Sequence, residues 1–220
     1  MRHLLTKDMK RKRLKRCNKV LTWLKGNGSN VKIFSDKKIF TVDQIYNRRN
    51  DQWLWKTIEE VQGVYRTKHP AQTMVFGVVA SDRKKMPPFF FKAGENICKE
   101  TYYKVLRYTV LSWLKANYPQ GIYMWTQDGA PSHTSDLCQK FCTANMAHFW
   151  PKDMYPSSLL DLNPLDFAVW GELEKKTNRT RHPNVDAIKD NVSEEFLINS
   201  CKAFRHRVEA VIEAEGGHIE

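Results

Sequence analysis

The sequence lacks the features of membrane, secreted and fibrous proteins. No apolar run approaches the roughly 18 residues of a membrane-spanning helix, and no apolar signal core follows Met1. Glycine and proline number only 10 and 9 among 220 residues, which excludes a collagen-like or low-complexity chain. We therefore expect an intracellular, soluble, globular protein with no membrane partner.

Cysteine is scarce and irregularly spaced. The five cysteines form an odd number without any C-x-x-C pair, so neither a disulfide framework nor a zinc ribbon is indicated. Cys138 and Cys142 lie four residues apart on one face of a predicted helix, beside Leu137 and Phe141. Core packing is the favoured interpretation of this pair, and metal ligation is the alternative.

The signature motifs of several large enzyme classes are also missing. The chain contains no G-x-G-x-x-G, no Walker loop, no H-E-x-x-H and no G-x-S-x-G. The sequence therefore gives no support to a dinucleotide-binding enzyme, a P-loop nucleotidase, a zinc protease or a serine hydrolase.

Acidic residues are nearly missing from the first 25 residues. This segment holds ten Lys or Arg against one acid, so it contributes +9 to the formal net charge of +12. Apolar residues at three- and four-residue spacings predict an amphipathic helix over residues 9–24. Its most basic run consists of Lys10, Arg11, Lys12 and Arg13. That run favours contact with DNA phosphates and has the composition of a nuclear localisation patch, while a solvated helix face is the alternative.

The rest of the chain alternates between strands and helices. Apolar stretches predict strands over residues 31–40, 73–80, 89–91 and 122–127, with a shorter one at 148–150. Helical spacing predicts helices over residues 99–117 and 134–145, from Asn163 onward, and in a C-terminal segment with the stripe Leu197, Cys201, Phe204, Val208 and Val211. The pattern predicts a mixed α/β fold. We expect residues 1–30 to form a basic helix and linker, and residues 31–220 to form one domain.

Three aspartates occupy distinctive positions in these predicted strands and helices. Asp36 lies within a strand on the same face as two phenylalanines, Asp128 ends a strand, and Asp166 lies in the first turn of a helix that Asn163 caps and Pro164 begins. Any one of them alone is more often a cap, turn or salt-bridge residue. If the three converge, their oxygens form a site that Mg²⁺ or Mn²⁺ prefers, and such ions catalyse phosphodiester displacement.

Three sequence blocks around these aspartates resemble, in order, the signature blocks of mariner-type transposases. The blocks are residues 34–40 (Phe-Ser-Asp-Lys-Lys-Ile-Phe), 127–134 (Gln-Asp-Gly-Ala-Pro-Ser-His-Thr) and 161–167 (Asp-Leu-Asn-Pro-Leu-Asp-Phe). The resemblance extends to residues 46–48, 66–70 and 213–217, and so over essentially the whole chain. It implies a ribonuclease-H-like mixed sheet flanked by helices. It also implies a nuclear DNA endonuclease and strand-transfer activity with Mg²⁺ or Mn²⁺ as cofactor, DNA as partner, and a homodimer as an assembly to consider.

The resemblance assigns the catalytic and metal-binding roles to Asp36, Asp128 and Asp166. Asp161 lies in the same block as Asp166, but the family's third acid follows the Asn-Pro step, which selects Asp166. The 37 residues between Asp128 and Asp166 suit a branch of the family whose third acid is aspartate. His133 resembles a residue near the metals that contacts DNA or a carboxylate, and a structural role in its turn is the alternative.

The chain also departs from the family pattern. We expect the N-terminal helix-turn-helix region of full-length relatives to be missing, Lys37 stands where relatives usually have an acid, and Leu159-Leu160 replace a Ser-Pro step. Two functions from different classes therefore stay open: a metal-dependent transposase domain, and a transposon-derived DNA-binding protein whose catalysis is impaired. A product without a stable function is a third, weaker hypothesis.

Overall fold

The computed structural model describes residues 5–41, 72–92, 94–156, 161–177 and 193–219. In chain order, these ranges contain α1 (Lys7–Gly26), β1 (Val31–Thr41), β2 (Gln72–Ala80), β3 (Phe89–Phe90), α2 (Lys99–Val105), α3 (Leu111–Asn117), β4 (Tyr123–Thr126), α4 (Pro131–Thr134), α5 (Asp136–Asn145), α6 (Trp170–Thr177) and α7 (Glu194–Glu213). π-Helical segments at Leu106–Val110 and Leu165–Val169 lead directly into α3 and α6. No helix within these ranges is long and apolar enough to cross a bilayer.

Four strands form one mixed sheet in the order β3-β2-β1-β4. Strand β1 is interior, antiparallel to β2 and parallel to β4, and β3 pairs antiparallel with β2. The predicted mixed sheet is therefore confirmed. The predicted strand at 148–150 is reduced to one bridge between Phe149 and Trp125. The amide of Lys152, which would continue that ladder, donates instead to the side chain of Gln139 (3.0 Å).

The two faces of the sheet are buried by different helices. Because side chains alternate along a strand, Phe34 of β1 packs into a cluster with α1, α6 and α7, whereas Ile33 packs into a second cluster with α2, α3 and α5. Cys138 and Cys142 are buried in the second cluster, and burial raises the pKa of both thiols. The core interpretation of these two cysteines is therefore confirmed.

Helix α1 belongs to the same core as the sheet. Its buried residues Cys17, Val20 and Leu24 share a cluster with Val208 and Val211 of α7. The stripe predicted for the C-terminal helix is confirmed by the burial of these and its other members. The boundary expected at residue 30 thus lies between two elements of one core, because the apolar face of α1 needs α7 and the sheet to cover it.

Arg13 of α1 is fully buried rather than presented to solvent. Its guanidinium donates to the carbonyl oxygens of Gly216 (2.9 Å) and Gly217 (3.1 Å), and its Nη2 lies 2.9 Å from a carboxylate oxygen of Asp161. Gly216 has a φ of +80°, and a Cβ there would collide with the backbone of Lys10. The expectation that Arg13 contacts DNA is wrong, because all three of these partners lie inside the fold.

The helices after β3 and β4 follow the predictions with two local differences. The helix predicted over 99–117 is present, and its middle turn, Leu106–Val110, is π-helical. The next helix was expected to be capped by Thr134, but Ser135 is the cap and accepts a hydrogen bond from the amide of Cys138. Thr134 instead closes the short turn α4 through its bonds to Ala130. Residues 50–67, which include Trp53 and Trp55, lie outside the described residues.

Replacing Arg13 with Leu is expected to lower the free energy of unfolding by about 3–5 kcal/mol, because it leaves Asp161 and two buried carbonyl groups without their charged donor. Urea unfolding followed by circular dichroism measures the change. Lys12→Ala, an exposed change on the next residue, serves as the control and should stay within about 0.5 kcal/mol of the parent. A loss below about 1 kcal/mol for Arg13→Leu would contradict the structural role.

Candidate active site

Asp36 reaches the site from the middle of β1. Its side chain is 6% exposed and lies on the same face of the strand as Phe34 and Phe40, as the sequence predicts. A carboxylate buried among aromatic rings needs a donor. The indole Nε1 of Trp170, at the start of α6, supplies one and donates to Oδ2 of Asp36 at 2.6 Å.

Asp128 follows β4 and lies beside Asp36. In the parallel pairing of β1 with β4, Phe34 is opposite Thr126, so Asp36 and Asp128 each stand two residues farther along neighbouring strands. The carboxylate of Asp128 accepts a hydrogen bond from the amide of Ala130 (3.1 Å). The sheet therefore brings two acids together at the carboxyl end of β4, an edge where sites in α/β proteins are commonly built.

His133 holds the carboxylate of Asp128. Its ring is fully buried, stacks on Tyr102 with 3.9 Å between centroids, and places Nδ1 against Oδ1 of Asp128. Burial lowers the pKa of His133, which favours the neutral ring, although the carboxylate of Asp128 beside Nδ1 opposes that shift. The ring has no exposed surface with which to contact DNA, so of the two expected contacts of His133 the geometry fits the one with a carboxylate.

Asp166 is brought to the same place by Asn163. Oδ1 of Asn163 accepts from the amide of Leu165 (3.1 Å), which caps the helix as predicted. Its Nδ2 donates to the backbone oxygen of Ser35 (3.2 Å), the residue before Asp36. The buried side-chain amide of Asn163 therefore fixes the start of the third sequence block, residues 161–167, against β1, the strand that carries the first block.

The charges of the three carboxyl groups act on one another. Burial raises the pKa of Asp166 to about 8, with further contributions from the charges of Asp36 and Asp128 and from a hydrogen bond with Asp36. Burial also raises the pKa of Asp36 to about 6, which Trp170 opposes and Asp128 reinforces. Burial pushes the pKa of Asp128 upward as well, but the contact with His133, the hydrogen bond from the amide of Ala130 and the charge of Lys37 together outweigh it, and the pKa is lowered. The site thus concentrates negative charge that only a cation or protons can neutralise.

Lys37 places one cation beside this cluster. Its Nζ donates to the hydroxyl of Ser132 (3.0 Å) and lies 5.2 Å from the centre of the Tyr102 ring. Burial lowers the pKa of Lys37, while the charges of Asp128 and Asp36 oppose that shift. The ammonium group of Lys37 is therefore held next to two of the acids, on the face of β1 opposite to Trp170.

Asp161 is engaged elsewhere, in the ion pair with Arg13. Its backbone oxygen also accepts a hydrogen bond from Arg207 of α7 (2.8 Å). Of the two aspartates in the third block, only Asp166 interacts with Asp36 and Asp128 within the described structure. Leu159 and Leu160, which replace the family's Ser-Pro step, lie outside the described residues.

The sequence analysis did not identify two residues of the site, Trp170 and Gly77. Trp170 stands four residues after Asp166, a spacing that places both on one helix face and could have drawn attention to it. Gly77 interrupts an otherwise apolar strand, and a glycine in a strand interior often marks a close approach of another group. A Cβ at Gly77 would lie 2.6 Å from the indole of Trp170.

The described residues contain no preformed site of three or more ligands for a single metal ion. Among residues 5–41, 72–92, 94–156, 161–177 and 193–219, no group of three or more His, Cys, Asp or Glu is arranged to hold a single metal ion. The acids interact electrostatically, and Asp36 and Asp166 share a hydrogen bond. What the arrangement supplies is a set of carboxylate oxygens at one sheet edge, the ligands of hard divalent cations.

Replacing Asp166 with Asn is expected to stabilise the metal-free protein by about 1–3 kcal/mol at pH 8. Because the pKa values of Asp36 and Asp166 are raised in the folded state, the folded protein binds more protons than the unfolded chain between about pH 4 and 8. This contribution to stability is complete near pH 4 and is lost as the pH rises. Urea unfolding in chelator measures it, with the exposed Asp153→Asn as control. A gain at pH 4 equal to that at pH 8 would contradict an electrostatic origin.

Comparison with known proteins finds similarity in structure. No protein-family model and no curated protein sequence matches the chain. The crystal structure of the catalytic domain of Mos1 mariner transposase superposes with a TM-score of 0.77 at 16% identity, covering 100% of both chains.

Larger Mos1 assemblies show the same similarity over part of their chains. The Mos1 mariner paired-end complex with Mn has a TM-score of 0.82 at 17% identity and covers 99% of this chain and 65% of that one. A pre-cleavage Mos1 transpososome has a TM-score of 0.82 at 15% identity, covering 99% and 66%. The chain thus spans about two thirds of the Mos1 chain in these complexes. This chain has the ribonuclease-H-like fold of the Mos1 mariner transposase catalytic domain.

Proposed function

We propose that the chain is the catalytic domain of a mariner-like transposase, which cleaves and joins DNA with divalent ions held by Asp36, Asp128 and Asp166. The observation that carries the proposal is the convergence of these acids, two of which have raised pKa values. Clustered, desolvated carboxylates are costly to keep unless they serve a function. The fold supports the proposal, and several Mos1 structures of this fold are described with Mn or Mg.

The residues present suit Mg²⁺ or Mn²⁺. Every proposed ligand is a carboxylate, and hard cations prefer oxygen ligands completed by water and substrate phosphates. A site for two ions does not need one ion to touch all three acids, since neighbouring ions share ligands. Ions bound there would activate the attacking water or hydroxyl and stabilise the leaving oxygen in phosphodiester displacement.

The surrounding side chains hold the acids in place for this chemistry. His133, which is buried, favours the ionised form of Asp128 through its contact with the carboxylate. Asn163 fixes Asp166 against β1 through the backbone of Ser35. These contacts orient the proposed ligands before any ion or DNA arrives, which is the usual role of residues behind a metal site.

Asp128→Ala is expected to reduce Mn²⁺-dependent nicking of supercoiled plasmid on the order of a hundredfold or more, as does the loss of one transition-state-stabilising group in other enzymes. Gel electrophoresis of the relaxed product measures the rate. Asp153→Ala, a change at an exposed aspartate, is the matched control and should nick like the parent. Nicking by the parent in excess chelator, or by Asp128→Ala at the parent rate, would refute the metal-dependent mechanism.

We further propose that DNA lies along the solvent-facing side of α1. Lys10, Arg11 and Lys12 are exposed there, and Arg11 is paired at 3.1 Å with Asp8. Their charge attracts phosphates, and each phosphate neutralised releases counterions. Several Mos1 structures of this fold are described as paired-end complexes, one of them with the left transposon end. We propose by analogy that two copies of this chain act together, in the nucleus where chromosomal DNA lies.

Replacing Lys10, Arg11 and Lys12 together with Gln is expected to reduce the slope of log K against log salt for duplex DNA by about 2–3, since each phosphate contact contributes about 0.9. Fluorescence anisotropy over a salt series measures the slope. A matched triple change to Gln at Lys99, Lys115 and Lys140, which are exposed on α2, α3 and α5, should alter it less. Equal slopes for the two triple variants would exclude α1 as the main phosphate contact.

A second function is favoured by one observation, the ammonium group of Lys37 beside Asp36 and Asp128. A fixed cation there competes electrostatically with a metal ion. The chain would then be a transposon-derived DNA-binding protein with impaired catalysis. The plasmid assay separates the two functions: salt-sensitive DNA binding without Mn²⁺-dependent nicking by the parent protein identifies the second.

A further inference from the structure

Gly77 leaves a space that the indole of Trp170 fills. In the antiparallel pairing of β1 and β2, Gly77 stands directly opposite Asp36. A Cβ at Gly77 would lie 2.6 Å from Cη2 and 3.1 Å from Cζ2 of Trp170. Carbon atoms do not approach so closely. The indole can therefore pack against the sheet at this point only because residue 77 has no side chain.

The indole that occupies this space has one polar contact, and it goes to Asp36. Trp170 is 2% exposed, packs edge-on against Phe40 with 5.7 Å between ring centroids, and donates from Nε1 to Oδ2 of Asp36 at 2.6 Å. Indole has a single donor and no acceptor. The contact therefore binds one oxygen of the carboxylate in a fixed direction and adds no positive charge to the site.

We propose that Trp170 is a positioning residue that orients Asp36 for a divalent cation, and that Gly77 is required because it makes room for the indole. This inference rests on the proposed function, in which Asp36 holds a metal ion. A neutral donor suits the task better than Lys or Arg would, because a cation at that place would repel the ion.

A purely structural role for Trp170 makes a different prediction. If the indole only fills the core and satisfies a buried carboxyl group, its loss should lower stability and leave metal affinity unchanged. Trp150 provides the matched control: it is 2% exposed in the same core cluster, and its Nε1 has no hydrogen-bond partner among the residues that the structure describes. Trp150→Phe removes an indole of equal burial that does not contact an acid.

The test is a Mn²⁺ titration of the full chain, followed by electron paramagnetic resonance of free Mn²⁺ at a temperature where each variant is folded. Trp170→Phe is expected to weaken Mn²⁺ binding by about 10–100-fold, the usual effect of removing a group that orients a ligand. Trp150→Phe should bind Mn²⁺ like the parent. Gly77→Ala should weaken binding in the same direction as Trp170→Phe, because the added methyl group displaces the indole.

The double variant tests whether Gly77 acts through Trp170. Phenylalanine lacks the outer ring edge that carries Cη2 and Cζ2, so the space beside residue 77 opens in Trp170→Phe. Adding Gly77→Ala to Trp170→Phe should therefore weaken Mn²⁺ binding little beyond the single change, whereas independent roles would multiply the two losses. If Trp170→Phe does not fold, the Mn²⁺ titration of Gly77→Ala alone still tests the inference.

Two different results would overturn the inference. If the parent binds Mn²⁺, Asp128→Asn does not, and both Trp170→Phe and Gly77→Ala bind like the parent, the positioning role is wrong and the proposed function stands. If the parent binds Mn²⁺ no better than Asp128→Asn, the proposed metal site and the inference that rests on it both fail.

Discussion

The clustering of three mutually repelling carboxyl groups, one buried and two half-buried, is the constraint on which the other features of the site depend. Asp36 and Asp128 arrive on neighbouring parallel strands, and Asp166 arrives on a helix fixed to the same strand. Water screens partly desolvated charges only weakly, so the acids depend on specific partners. Trp170 serves Asp36 and His133 serves Asp128, while Asp166 keeps a pKa of about 8.

The two sides of β1 support the acids by different means. On one side the space above Gly77 admits Trp170, and packing against Phe40 holds the indole. On the other side Lys37 adds a positive charge near the same carboxylates. The neutral indole of Trp170 and the ammonium group of Lys37 therefore act on Asp36 from opposite faces of β1. Under the proposed function, the charge of Lys37 competes with a metal ion for these carboxylates, whereas the neutral indole does not.

Helix α1 combines two roles because a helix has more than one face. Arg13 lies on the inward face, where it joins Asp161 and the backbone after α7. Lys10, Arg11 and Lys12 lie on faces that solvent reaches. The same basic run thus anchors the end of the chain and presents charge outward. The pairing of Arg13 with Asp161 also removes Asp161 from competition with Asp166.

Local sequence patterns predicted most of the strands and helices and singled out the three aspartates. Alternating and helical apolar periods predicted the strands around Asp36 and Asp128 and the helix that Asn163 caps, since these depend on neighbouring residues. The tertiary structure was needed to show that Arg13 and His133 are buried and that Asp161 pairs with Arg13, because each of these depends on a partner from another element. It alone placed Trp170 against Asp36 across Gly77. A contact between residues 134 positions apart is set by sheet register and helix packing, which local sequence patterns do not encode.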